Sequence, residues 1–268
     1  MEGSAMPSPT AYTATEMMTI AAARALRSED VCFVGIGAPS AACNLARLTH
    51  APGITLIYES GTIGTEPNVL PLSIGDGELC ETALTTVSVP EMFRYWLQGG
   101  RMTVGFLGGA QIDRHANLNT TVIGDYARPK VRLPGGGGAP EIAVHCREVF
   151  ITMAQSPRSF VGTLPFVTSL GHGKGGGDRA GLVSTTKGPT RVITDLCVME
   201  PELASKELAV VSIHSGVTQE ELQKATGWPL RYAAAVGETP PPTSEELSVL
   251  RDIHARTRKA HGADEAAG

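Results

Sequence analysis

Unbroken apolar runs alternate with amphipathic stretches along this chain. Residues 31–34 (Val31, Cys32, Phe33, Val34) are continuously apolar and read as a buried strand. The run ends in Gly35-Ile36-Gly37-Ala38-Pro39, and a helical pattern follows over residues 40–49. A second strand is predicted at residues 54–58, ending at Glu59, and others at 103–112, 149–153, 166–169, 191–199 and 208–213. Thr13-x-x-Glu16, Thr218-x-x-Glu221 and Thr243-x-x-Glu246 each have the spacing of a capping box. They predict helices over residues 13–27, from 218 to near Gly227, and from 243 to about His254. Residues 90–98 read as a helix stopped by Gly99 and Gly100. Asp113 and Asn117 bracket a turn, because short polar side chains bond their own backbone there. This alternation predicts an α/β fold, with a mostly parallel sheet flanked by helices in a single domain over residues 13–256. Residues 1–12 and 257–268 are expected to be mobile.

Composition narrows the function classes. The chain has 268 residues, 42% hydrophobic, enough for one full core. Its formal net charge of −5 argues against a nucleic-acid partner or an anionic membrane surface. The chain has no apolar run of membrane-spanning length and no secretory leader pattern at its start, so a cytoplasmic location is expected. The five cysteines contain no C-x-x-C pair. Cys32 and Cys197 lie within apolar runs and read as small core residues, and neither a disulfide framework nor a metal site is expected. His115, His145, His172 and His214 lack metal-ligand spacing and read as turn or surface residues.

Four features could carry chemistry. Glu59 follows an apolar strand and enters a turn, Ser60-Gly61. A carboxylate is costly there without a task or a partner, and strand C-termini are where α/β proteins bind ligands. Glu59 is therefore the candidate catalytic carboxylate; the plainer alternative is a solvated rim glutamate. Ser60 reads as a hydrogen-bond donor to that carboxylate rather than a nucleophile, and no G-x-S-x-G elbow is present. The turn containing Gly35, Gly37 and Pro39 lets backbone approach an acyl group or phosphate, or is simply tight. Gly135-Gly136-Gly137-Gly138-Ala139 offers bare amides to a developing oxyanion, or is a flexible loop. Residues 173–178, glycine-rich again, read as an exposed flexible loop, and Asp76, Glu78 and Glu81 as a solvated acidic one.

Taken together, these segments resemble the B subunits of class I coenzyme A transferases, in the branch that includes glutaconate CoA-transferase. The resemblance is carried by Gly35-Ile36-Gly37-Ala38-Pro39, Tyr58-Glu59-Ser60-Gly61, Gly108-Gly109-Ala110-Gln111-Ile112-Asp113, Asn117-Leu118-Asn119-Thr120-Thr121 and Gly137-Gly138-Ala139. Residues 71–79, 93–100 and 195–201 bring it nearest to the 3-oxoadipate members. The resemblance implies a CoA-transferase-like fold and Glu59 as a nucleophile that carries CoA as a glutamyl thioester. It implies an oxyanion hole at Gly137, Gly138 and Ala139, and substrate contacts at Gly35, Gly37, Pro39, Ser60, Gly61 and Gly136. It further implies an A-subunit partner in a hetero-oligomer of αβ units, with acyl-CoA and carboxylic acids as substrates. No permanently bound cofactor and no metal are implied, since the CoA thioester is itself a substrate. Two departures stand out. Tyr58-Glu59-Ser60-Gly61 replaces the Ser-Glu-Asn-Gly of the other branch, and Ala116 stands where many relatives have glycine. Members that lost the glutamate act as decarboxylases or ring-opening hydrolases, and Glu59 argues against both. It also argues against a non-catalytic sensor, which has no need of a strand-end nucleophile.

Overall fold

The computed structural model describes residues 11–182 and 186–262. Residues 1–10 and 263–268, within the termini expected to be mobile, lie outside the described residues. A ten-stranded sheet forms the centre. Its strands are β1 (Val31–Val34), β2 (Thr55–Tyr58), β3 (Thr62–Ile63), β4 (Thr85–Thr86), β5 (Val104–Leu107), β10 (Glu148–Thr152), β11 (Pro189–Ile193), β12 (Cys197–Pro201), β13 (Leu208–His214) and β14 (Arg231–Thr239). Two short ribbons stand apart: β6 (Gln111–Ile112) with β7 (Leu118–Asn119), and β8 (Val122–Gly124) with β9 (Pro129–Arg132). The order across the main sheet is β14-β13-β12-β11-β10-β5-β1-β2-β3-β4. Its middle, from β11 to β2, is parallel, whereas β3 and β4 on one side and β12 on the other run antiparallel to their neighbours.

Side-chain alternation along the parallel strands builds two cores. Cys32, Val34, Leu56, Tyr58, Val104 and Phe106 face one side. There they meet helices α1 (Ala14–Arg24), α2 (Ala38–Leu48) and α8 (Ser244–Ala260). Phe33, Ile57, Leu107, Val149 and Ile151 face the other side. Helix α5 (Ala139–His145) and a wide helical turn, Met92–Leu97, cover them. Continuous apolar runs were legible as strands for this reason: both faces are buried. The short helices α3 (Glu78–Glu81), α4 (Val89–Glu91), α6 (Asp178–Leu182) and α7 (Gln219–Lys224) complete the described elements.

All three capping boxes form, with Thr13, Thr218 and Thr243 each bonding the backbone of the glutamate three residues on. Other expectations need correcting. The strand read at 103–112 breaks after Leu107, and residues 111–112 pair with β7 instead. The strand read at 191–199 is two antiparallel strands, because Thr194 folds the chain back: its Oγ1 accepts from the amides of Leu196 and Cys197 at 3.0 and 2.9 Å. Residues 166–169 make only a single bridge, Leu118 to Ser169. Helix α8 runs six residues past His254, to Ala260, so its last turn includes part of the tail expected to be mobile. That turn is anchored where Thr257 Oγ1 accepts from the Leu70 amide at 2.8 Å. The glycine run at 173–178 is tied down rather than loose: Gly173 N–H donates to Asn117 Oδ1, and Gly176 N–H to the Ser205 carbonyl. His172 and His214, expected at turns or the surface, are 2% and 3% exposed. In the acidic loop, Asp76 and Glu78 accept backbone amides of Leu72 and Asn68.

Candidate active site

The turns after β1, β2, β5 and β10 emerge at the same edge of the parallel sheet, where ligands collect in α/β folds. They enclose a cavity of about 440 Å³. Gly35, Pro39, Glu59, Gly136, Gly137, Gly138 and Ala139 all line it, so residues far apart in sequence meet at one place. Gly37, Ser60 and Gly61 are not in the lining. Two of them shape the turns behind it.

Glu59 is held by what precedes and follows it. Tyr58 is fully buried, and its hydroxyl sits 2.7 Å from Ser40 Oγ on α2. Burial pushes its phenol well above the ordinary tyrosine range, so it remains neutral. After Glu59 the chain reverses tightly: Gly61 N–H donates to the Tyr58 carbonyl at 3.0 Å, and the Gly61 carbonyl accepts from Val87 N–H at 2.9 Å. Gly61 has φ +103, and a Cβ there would lie 2.0 Å from the Val87 carbonyl oxygen. Only glycine fits that turn. Ser60 Oγ is buried without a partner. The expected hydrogen bond from Ser60 to the Glu59 carboxylate is therefore not made.

The glycine loop lies directly against the carboxylate. A Cβ added at Gly138 would stand 3.0 Å from Glu59 Oε1 and 2.7 Å from Phe93 Cζ. The loop is braced, not flexible: Gly135 N–H donates to the Thr120 carbonyl at 2.8 Å, and Ala139 N–H to the Gly136 carbonyl at 2.9 Å. Ala139 was expected among the oxyanion donors, but its amide is already used inside the turn. Gly137 and Gly138 remain the candidates for that role. On the opposite wall, α2 begins at Gly37 (φ +83) with no side-chain cap, and Pro39 occupies its first turn. Ala38 and Pro39 thus bring the positive end of an eleven-residue helix to the cavity.

Sequence reasoning missed Phe93, Phe106 and Thr152. The last two come from the ends of β5 and β10 and line the cavity. Phe93 lies on the wide turn, whose i→i+5 bond from Gln98 N–H to the Phe93 carbonyl is 2.8 Å. Its ring meets Phe33 edge-on, with centroids 6.0 Å apart. Such widened turns recur at functional sites, but the sequence signals only a helix there. The cysteines offer no rival nucleophile near the sheet: burial raises the thiols of Cys32 and Cys146 and pushes Cys197 up to about 12. Among the described residues no group of three or more potential ligands is placed to hold a metal ion.

A carboxylate at a strand end, faced by bare amides and a helix N-terminus, is suited to acyl transfer through a covalent intermediate. Similarity to known proteins agrees with this chemistry. Residues 15–225 match the family model described as coenzyme A transferase, and the chain belongs to that family. It is 62% identical to the B subunit of the 3-oxoadipate CoA-transferase of Pseudomonas knackmussii, over 94% of this chain and 97% of that one. It is 33% identical to the B subunit of the glutaconate CoA-transferase of Acidaminococcus fermentans, over 91% and 92% of the two chains. The crystal structure of glutaconate CoA-transferase from Acidaminococcus fermentans superposes with a TM-score of 0.84 at 30% identity, over 90% of this chain and 94% of that one.

Proposed function

We propose that this chain is the B subunit of a heteromeric CoA-transferase that moves CoA from succinyl-CoA to 3-oxoadipate through a thioester on Glu59. The observation that carries the reading is the contact between the Glu59 carboxylate and Gly138 in the braced glycine loop. The 62% identity to the B subunit of a 3-oxoadipate CoA-transferase supports the choice of acceptor. A glutaconate acceptor is the second reading, supported by the 33% identity to that enzyme's B subunit.

The steps balance without a redox partner. A Glu59 oxygen attacks the thioester carbonyl, the C–S bond breaks, and CoA leaves as thiolate from a mixed anhydride. The thiolate attacks the Glu59 carbonyl of that anhydride, and the donor acid departs as a carboxylate. Glu59 now carries CoA as a thioester. The acceptor carboxylate attacks that carbonyl and releases the thiolate. The thiolate then attacks the acceptor's acyl carbon, giving the new acyl-CoA and restoring Glu59. Each tetrahedral intermediate bears an oxyanion, which the Gly137 and Gly138 amides would stabilise, by on the order of 3 kcal/mol for one such donor. The turn at Gly35 and Pro39 lines the acyl pocket. Gly136 belongs to the same substrate surface, with Gly37, Ser60 and Gly61 behind it.

The reading includes an A subunit completing the acyl pocket in an assembly of αβ units, in the cytoplasm, where succinyl-CoA is formed. Among the described residues no helix is long and apolar enough to cross a membrane. The test is to co-purify the chain with an A subunit, incubate the complex with succinyl-CoA and reduce it with borohydride. Peptide mass mapping should find the modification on Glu59, and 3-oxoadipate should exceed glutaconate and acetate in kcat/KM. An adduct on Ser60 or a cysteine overturns the mechanism; equal rates with acetate overturn the acceptor.

A further inference from the structure

We propose that the β8–β9 hairpin holds the phosphate groups at the nucleotide end of CoA, with Arg128, Lys130 and Arg132 as the cations. The inference rests on the CoA-transferase reading and extends it to how the thioester is held.

The hairpin concentrates three cations within five residues of a chain whose net charge is −5. All three side chains are exposed, and among the described residues none forms an ion pair. Arg24, Arg47, Arg231 and Arg251, by contrast, each pair with a carboxylate. The one carboxylate of the hairpin, Asp125, is turned onto its own backbone, accepting from the amides of Ala127 and Arg128 at 2.8 and 3.0 Å. Lys130 and Arg132 are two residues apart on β9 and share a face of the ribbon.

The Arg132 guanidinium is also fixed in advance. It lies over the Tyr126 ring at 5.0 Å and donates to the Tyr126 carbonyl at 3.2 Å. Tyr126 in turn stacks on Phe166, with centroids 5.3 Å apart and planes 18° from parallel. A stacked guanidinium loses less rotamer freedom on meeting a phosphate and offers it a fork of donors.

The hairpin is the upstream continuation of the active-site loop. β9 ends at Arg132, and Leu133 N–H and Gly135 N–H then donate to the carbonyls of Thr121 and Thr120. Gly136 already lines the cavity. Three residues separate it from Arg132, a reach of at most about 14 Å over the four steps of chain. CoA has a matching layout: a reactive sulfur at one end, an extended pantetheine arm, and a pyrophosphate with a 3′-phosphate at the other. Binding the far end is a source of free energy for the strained step at the thioester.

The experiment uses the complex with its A subunit and the variants Arg128→Gln, Lys130→Gln and Arg132→Gln, singly and combined. Each is assayed with succinyl-CoA, with its dephospho-CoA counterpart and with succinyl-pantetheine, and CoA binding is measured by calorimetry. Loss of one charged hydrogen bond to phosphate is expected to cost about tenfold, and the triple variant about a hundredfold or more, in kcat/KM for succinyl-CoA and in CoA affinity. Rates with succinyl-pantetheine should remain within about twofold of wild type. Equal losses on both thioesters, unchanged CoA affinity, or loss of assembly on size exclusion would each overturn the proposal, the last by making the hairpin a subunit contact. If the wild-type complex binds CoA but transfers none, the transferase reading fails while the calorimetry still decides the hairpin.

Discussion

Replacing Gly138 by alanine should separate catalysis from folding. The backbone there has φ −81 and ψ −6, open to any residue, so strain does not enter. The added methyl would stand 2.7 Å from Phe93 Cζ and 3.0 Å from Glu59 Oε1, where 3.4 Å is ordinary contact. The ring must therefore retreat by roughly 0.7 Å and the carboxylate by roughly 0.4 Å, if the loop does not move. The ring is backed by Phe33, and its backbone is held by the bond from Gln98. Much of the adjustment consequently falls on Glu59. A misplacement of 1 Å costs about a hundredfold in rate, so half that shift, together with a disturbed oxyanion donor, predicts a loss of about 10- to 100-fold in kcat/KM. Overpacking against two side-chain ends costs about 1 kcal/mol, or a melting shift of about 2–4 °C. Steady-state transfer by the complex and a thermal melt followed by circular dichroism measure the two quantities. Adding Phe93→Leu should restore the melt but only part of the rate, since the carboxylate still meets the methyl. Activity within about threefold of wild type at an unchanged melting temperature would refute the argument.

Glu59→Ala should abolish transfer, by several kcal/mol of barrier, with an unchanged circular dichroism spectrum; activity within about tenfold of wild type would show that the nucleophile lies elsewhere. Gly61→Ala should do the opposite and damage the fold itself, because its Cβ would meet a backbone oxygen at 2.0 Å in a left-handed conformation; normal expression and an unaltered melt would contradict that. His172 should stay neutral to low pH, since burial pushes its imidazole down to about 4 although its Nε2 lies 2.8 Å from the Pro189 carbonyl. The unfolded chain takes up this proton near pH 6.5, so the associated stability is complete above that pH and is lost as pH falls toward 4. An NMR titration of His172 with a midpoint above 6 would contradict the assignment.

The parallel middle of the sheet and its two cores were legible because β1, β2, β5 and β10 are apolar on both faces. The capping boxes were legible because they are local. β14 was not read as a strand: Arg231–Thr239 is a partly exposed run rich in alanine, and its pairing with β13 carries no period in sequence. The break after Leu107 was marked in the sequence by Gly108-Gly109 and passed over, and pairing with β7 then moves residues 111–112 out of the sheet. At the site, Glu59 and the glycine loop were visible as residue types, but their contact was not, since it closes across the sheet between segments some eighty residues apart. The burial of His172 and His214 was equally non-local, their rings meeting the carbonyls of Pro189 on β11 and of Thr194 in the turn that follows it. Ala116 has φ +59, a left-handed conformation that glycine adopts at lower cost.

The wide turn at Met92–Leu97 makes this part of the chain sensitive to length as well as to composition. An i→i+5 turn accommodates one residue more than the α-helix would in the same space. Deleting a single residue there would rewind it to i→i+4 bonding and remove the widened turn that carries Phe93. Phe93 would then lose its place against Gly138, while the chain that follows kept its register. Among related chains, substitutions in this segment should therefore accumulate freely on its outward side, at Arg94 and Tyr95, while insertions and deletions pass it by.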